Sequence, residues 1–213
     1  MVTVIGSLKG GSGKSTLTFN LAVWLEMAEV KVLVVDADPQ ATLRDVSEVR
    51  REEGYEPFLN LEDGGVLSSP NKVLQGYDEV LVDVGTSDIE AMKRALLLAD
   101  RIVIPVPPSQ ADIWSTQRFL QFLGGVRGDS GPELLAFINR ADTHVAIRES
   151  DEAAAALVSL PGIRFIKHRL CQRTVFRRSF SEGLAVYELE PRGKGSKEFY
   201  ALTAALYPDY ISH

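Results

Sequence analysis

Short runs of valine, isoleucine and leucine alternate along the chain with longer segments in which apolar residues return every three or four positions. The runs are Thr3 to Gly6, Lys31 to Asp36, Glu79 to Asp83, Arg101 to Pro105, Glu133 to Ile138 and Ile163 to Ile166. Their nearly continuous apolar character is that of parallel strands covered on both faces. Helical spacing falls between them, in Ser15 to Ala28, Ile89 to Ala99, Ile113 to Leu123, Ile147 to Ser159 and Lys197 to Leu206. The alternation predicts an α/β fold, a doubly wound and mostly parallel sheet flanked by helices. A length of 213 residues suits one such unit, so residues 1–213 are read as a single domain. Arg44 to Asn71 breaks the pattern, mixing charges with Gly54, Pro57, Gly64, Gly65 and Pro70, and reads as a variable loop with one short helix. Pro191 to Ser196 reads as a flexible surface turn.

Composition narrows the function classes. The first residues already read as a buried strand, with no charged leader before them. The longest apolar stretches, Lys31 to Asp38 and Arg101 to Pro108, are strand-length and fall well short of the ~20 residues that cross a bilayer. The C-terminal residues do not form the basic amphipathic helix of a membrane-surface protein. A cytoplasmic protein without a membrane partner is expected. The single cysteine, Cys171, excludes an internal disulfide and a shared cluster needing two thiols per chain. His144, His168 and His213 lack metal-ligand spacing. Net charge is −6, yet nine of the 23 basic residues and only five of the 29 acidic ones lie from Arg164 onward, which leaves the C-terminal quarter basic.

The candidate chemistry begins at Lys9-Gly10-Gly11-Ser12-Gly13-Lys14-Ser15-Thr16, directly after a strand and at the start of an amphipathic helix. Three glycines let backbone N–H groups wrap phosphate oxygens, and the helix N-terminus adds partial positive charge. Lys14 is placed to reach the β- and γ-phosphates of ATP, and the Ser15 hydroxyl to ligate Mg²⁺. The second strand ends in Asp36-Ala37-Asp38-Pro39-Gln40, with Asp36 and Asp38 sent to one side of the sheet by alternation. A further apolar strand ends in Asp83, the pattern that holds Mg²⁺ through water, although apolar strands ending in aspartate are common.

These residues resemble the ParA/MinD family of deviant Walker ATPases. Leu8 replaces a glycine of the standard phosphate loop, and Lys9 matches the family's signature lysine, which implies contact with the partner's nucleotide across a homodimer formed with ATP. The Asp36-Ala37-Asp38-Pro39-Gln40 segment is similar to the family's first switch, which implies that Asp36 supports the magnesium shell and Asp38 positions the attacking water. Ala41 and Thr42 stand where Gly-Asn is usual. Val84-Gly85-Thr86-Ser87-Asp88 replaces the Cys-Pro-Pro of longer relatives and would be the second switch, with Gly85 as its pivot. The short partition ATPases related to ParF carry a proline motif like Pro105-Val106-Pro107-Pro108-Ser109, which implies that Pro107, Pro108 and Ser109 border the adenine. In that motif Asp112 reads as a helix N-cap. Asn139 sits where the wider family often reads the adenine edge, or else is a turn-forming asparagine. Arg164, Lys167, Arg169, Arg173, Arg177 and Arg178 form a cluster without an acidic residue among them. Such a cluster is suited to nonspecific DNA, or is a solvated helical face, or a set of nucleotide-proximal arginines.

The resemblance implies an ATPase that partitions or positions DNA, hydrolysing ATP slowly until stimulated by a small ParB-like or centromere-binding activator, and nucleoid-associated when ATP-bound. The same engine positioning a protein cargo such as carboxysomes, a metabolic P-loop synthetase, and a nucleotide-gated scaffold are the alternatives.

Overall fold

In a computed structural model of the chain, described over residues 1–69, 75–128, 131–144 and 148–210, the apolar runs are strands of one sheet. They are β1 (Val2–Ile5), β2 (Val32–Ala37), β3 (Asn60–Asp63), β4 (Glu79–Val84), β5 (Arg101–Val106), β6 (Glu133–Ile138) and β7 (Ile163–Ile166). Their order is β3-β2-β4-β1-β5-β6-β7 and every pairing is parallel. The α-helices among the described residues are α1 (Lys14–Met27), α2 (Thr42–Glu52), α3 (Ile89–Leu98), α4 (Gln110–Arg127), α5 (Glu149–Val158), α6 (Thr174–Ser181), α7 (Val186–Leu189) and α8 (Lys194–Leu206).

Alternation along the central strands feeds two cores. Ile5, Val34, Leu81, Val103 and Phe137 pack on one face with α1 and α8, through Leu21 and Phe199. Val4, Val35, Val82, Ile104 and Ala136 pack on the other with α3 and α4, through Met92 and Phe119. Burial on both faces is why these strands read as unbroken apolar runs. The chain winds from β1 to β2 and β3 on one side, returns to β4, and crosses β1 to β5 on the other. The crevice beyond the strand ends at such a reversal is where α/β sheets bind ligands. Register brings Ile5, Asp83, Asp36 and Asp63 level with one another at that edge.

The segment from Arg44 corrects the loop expectation. It holds most of α2, the one helix expected there, but then the unexpected strand β3, and its last residues, Pro70 and Asn71, lie outside the described residues. Helix α2 buries Leu43, Val46 and Arg50, so an arginine occupies the third core position and hides the helical stripe. Arg50 is 1% exposed. It donates to the carbonyls of Glu56, Pro57 and Gly183 and bidentately to Glu188. Strand β3 is an edge strand whose only apolar residue is Leu61. Of Pro191 to Ser196, Pro191 and Arg192 form the expected surface turn, and the rest leads into a helix. α8 begins at Lys194, Gly195 and Ser196 are buried, and the Ser196 hydroxyl donates to the carbonyls of Val186 and Glu190. The expected helix from Ile147 starts at Glu149, Ile147 itself lying outside the described residues.

Candidate functional site

The loop between β1 and α1 is held from within. The Ser7 hydroxyl donates to the Lys9 carbonyl at 3.0 Å and lies 3.1 Å from the Ser12 hydroxyl. No side chain caps α1, so the first N–H groups of the helix remain available to an anion. Gly13 is left-handed, with φ 92°, and a Cβ there would stand 2.4 Å from Asn139 Nδ2. Asn139 is buried at the end of β6 and donates that Nδ2 to the Ser12 carbonyl at 2.7 Å. It therefore braces the phosphate loop, a contact that its sequence position did not reveal.

Ser15 donates its hydroxyl to Asp83 Oδ2 at 2.6 Å. Asp83 is 1% exposed, and its Oδ1 has no partner among the described residues. Burial, opposed by the Ser15 hydrogen bond and by Lys14, pushes the Asp83 carboxyl up to about 7. An orphaned carboxylate oxygen beside a serine hydroxyl at the mouth of the phosphate loop fits a hard divalent cation held mainly by nucleotide phosphates and water. Among the described residues no three histidine, cysteine or acidic side chains gather as a cage of their own. Lys14 is buried beside the loop, its Nζ 3.5 Å from the Lys9 carbonyl. Desolvation lowers its pKa, and Asp83 and Asp38 act against that shift.

Asp36 accepts the backbone N–H groups of Asp38 and Arg44, both at 3.2 Å, and so ties the end of β2 to the first turn of α2. Burial raises its pKa most, and those two hydrogen bonds lower it. Asp38 is half-exposed and accepts the Gln40 N–H at 3.0 Å. Its carboxylate rests on the bare Cα of Gly85, where a Cβ would stand 2.7 Å from both Asp38 Cγ and Oδ1. Gly85 is not among the residues with positive φ, so the need for glycine there is steric.

Lys9 lies on the rim and pairs within its own chain with Asp112 Oδ1 at 2.9 Å. Ser109, not Asp112, is the N-cap of α4. The Ser109 hydroxyl accepts the Asp112 N–H and donates to Asp112 Oδ2, which buries Asp112 in the first turn and aims it at Lys9. Two depressions flank the loop. One, of about 400 Å³, runs from Gly13, Thr16 and Asn139 to Gln172, Arg173 and Arg177. The other, an open groove, holds Lys9, Gly10 and Gly11 together with Pro107, Pro108 and Ser109. The expected adenine residues are thus divided, Asn139 to the cavity and the proline loop to the groove.

A profile described as the CobQ/CobB/MinD/ParA nucleotide binding domain matches residues 3–186. The chain belongs to that family. Among relatives of the CobQ/CobB/MinD/ParA chain, the maintenance of carboxysome distribution protein A of Halothiobacillus neapolitanus is 26% identical over 199 residues, covering 91% of this chain and 90% of that protein. The chromosome-partitioning ATPase Soj of Thermus thermophilus is 29% identical over 159 residues, covering 61% of this chain and 64% of that protein. A solved plasmid partition protein from Borrelia burgdorferi bound to AMPPNP superposes with a TM-score of 0.75 at 20% identity, covering 96% of this chain and 97% of that one, and so shares the fold.

Within this ParA/MinD-type frame the basic residues near the C-terminus are dispersed and mostly neutralised. Arg164 pairs with Glu133 at 2.9 Å, Arg169 with Asp151 at 3.1 Å and Arg178 with Glu182 at 3.0 Å. Arg173 donates its Nε to Glu198 at 3.0 Å. Of the six, Lys167 and Arg177 have no ion pair among the described residues. The acids come from β6, α5, the C-cap of α6 and α8, so reading along residues 164–178 alone could not find them.

Proposed function

We propose that the chain dimerises on ATP, hydrolyses it slowly, and uses the cycle to position a large cargo on DNA. The observation that carries the reading is Lys9, a second lysine on the exposed rim of a phosphate loop that already has Lys14 inside. A lysine at that rim is suited to the phosphates of a nucleotide held by a second copy, where it would add transition-state charge as an arginine finger does. The cis pair with Asp112 supports a resting state in which that charge is held back until a stronger anion competes for it.

In this reading the uncapped start of α1 and Lys14 bind the phosphates, and Ser15, Asp83 and Asp36 serve the magnesium shell. Bound magnesium would neutralise charge on the β- and γ-phosphates. Asp38 orients water for in-line attack, and a half-exposed acceptor carboxylate just past β2 suits that task. The 400 Å³ cavity suits the base and ribose, with Gln172 and Arg173 at its wall, while Pro107, Pro108 and Ser109 border the base from the dimer side. The cargo is a plasmid or a chromosome region, the latter as the name of Soj suggests, or a protein body, as the name of the carboxysome relative suggests. A small activator stimulates turnover in either case, and the ATP form associates with the nucleoid. No helix among the described residues is long and apolar enough to cross a membrane.

Phosphate release by the wild type, Lys14→Ala and Asp38→Ala tests the engine. Turnover should be lost in both variants, with ATP binding kept in Asp38→Ala and weakened in Lys14→Ala. Undiminished turnover in Asp38→Ala would remove the hydrolytic assignment.

A further inference from the structure

Glu198, in the second turn of α8, belongs to no motif of the sequence, yet its carboxylate holds one wall of the 400 Å³ cavity. Its oxygens accept the Cys171 N–H at 3.0 Å and the Arg173 Nε–H at 3.0 and 3.1 Å, and Arg173 Nη2 donates to it as well. Cys171, Gln172 and Arg173 all line the cavity, whereas Glu198 does not. The next residue, Phe199, is buried and lines it too. Burial pushes the Glu198 carboxyl up, but the hydrogen bonds from Arg173 and Cys171 outweigh it and leave the group below its ordinary value.

The same stretch is tied on its other side to the end of β6. The Leu170 N–H donates to the Ile138 carbonyl at 3.1 Å, the Ala141 N–H to the Leu170 carbonyl at 2.9 Å, and the Gln172 N–H to the Ala141 carbonyl at 2.8 Å. Asn139, which braces the phosphate loop through the Ser12 carbonyl, lies within that ladder and lines the same cavity. The wall is therefore clamped between the end of β6 and α8. The first turn of α8 is itself fixed, because the Ser196 hydroxyl donates to the Val186 and Glu190 carbonyls.

An arginine whose Nε and Nη2 are committed to a carboxylate keeps its planar fork in one direction, and cannot turn it toward a phosphate or fold it across the cavity. Only the Nη1 donors of Arg173 have no partner among the described residues. We propose that Glu198 is a positioning residue for nucleotide binding, which sets the cavity wall by holding the Cys171 N–H and the Arg173 guanidinium. This rests on the reading that the cavity takes the base and ribose. Lys14, Asp38 and Asp83 do not line the cavity, so Glu198 governs how tightly the nucleotide is held and leaves the rate of hydrolysis alone.

The test measures the Mg·ADP affinity of the wild type, E198Q, R173Q and R173Q/E198Q by calorimetric titration, with kcat and KM for ATP in parallel. E198Q keeps a neutral acceptor for the Cys171 N–H and ends the ion pair. It should weaken ADP roughly tenfold and raise KM in proportion, with kcat within about twofold of wild type, because binding equal in ground and transition states moves KM alone. R173Q breaks the pair from the loop side and should weaken ADP to a similar degree. The double variant should lose little beyond R173Q, since the two side chains act as one unit. A merely structural role would lower kcat through loss of folded protein and leave KM unmoved. That pattern, an unchanged ADP affinity in either single variant, or losses that simply add in the double variant would overturn the proposal. Wild-type protein that binds inorganic pyrophosphate as tightly as ADP would overturn the underlying reading of the cavity as well.

Discussion

Asp38 and Gly85 meet at a contact that only a glycine allows, and the consequence is local. A methyl group at position 85 would stand inside the Asp38 carboxylate. Gly85→Ala should therefore lower ATP turnover at least tenfold while leaving the affinity for ATP within about threefold of wild type, because the phosphate loop lies elsewhere. Phosphate-release and nucleotide-binding assays read the two effects separately, and a parallel loss of binding would show a wider disturbance. Asp83 has a second consequence, in stability. Its folded carboxyl titrates near 7, above its ordinary value of 3.8, so the nucleotide-free fold binds a proton that the unfolded chain has released. That contribution is fully present below about pH 4 and is lost as pH rises through 7. Asp83→Asn should accordingly show a shallower fall in unfolding free energy across this window, measured by urea titration without nucleotide. An unchanged slope would mean that another group carries the proton.

At the level of elements, α2 ties the Asp36 end of the sheet to the segment that carries Gly183 and Glu188. Its first turn is bound to Asp36, and near its other end Arg50 is clamped to Glu188 and to the Gly183 carbonyl. Removing one partner leaves a buried charge uncompensated, which costs about 3–5 kcal/mol in such pairs. Arg50→Ala should destabilise by that order in urea unfolding, and combining it with Glu188→Gln should cost less than the two singles summed. Strict additivity would show that the pair is not coupled. This clamp also explains where sequence reading stopped. β6 and β7 match their expected bounds, and the other apolar strands lie within a residue of theirs, because burial on both faces leaves an unmistakable pattern. The bounds of α2 were obscured by an arginine at a core position, β3 by an edge strand with one apolar residue, and α6 by its place within a run of basic residues. The phosphate loop and Asp83 were legible because their chemistry sits in contiguous residues. The Asn139 brace, the Asp112 partner of Lys9 and the acids that neutralise Arg164, Arg169 and Arg178 were not, since each depends on residues brought together only by folding.

For the whole molecule, the winding reversal at β1 gathers Lys9, Lys14, Asp36, Asp38 and Asp83 at one edge of the sheet, and the Lys9–Asp112 pair sits at the outermost point of that edge. A site closed by a second copy would couple nucleotide state to assembly. Asp112→Asn should release Lys9 from its cis partner and shift dimerisation to lower protein concentration at saturating ATP, as read by light scattering. A weaker dimer would instead assign Asp112 a direct part in the interface. The central claim is that Lys9 acts in trans, and sedimentation velocity of the wild type and Lys9→Ala, with ADP and then with a nonhydrolysable ATP analogue, tests it most directly. Wild-type dimers are expected with the ATP analogue alone and monomers of Lys9→Ala throughout, with nucleotide still bound. Dimers that persist in Lys9→Ala, or a wild type that binds the analogue and stays monomeric, would contradict it.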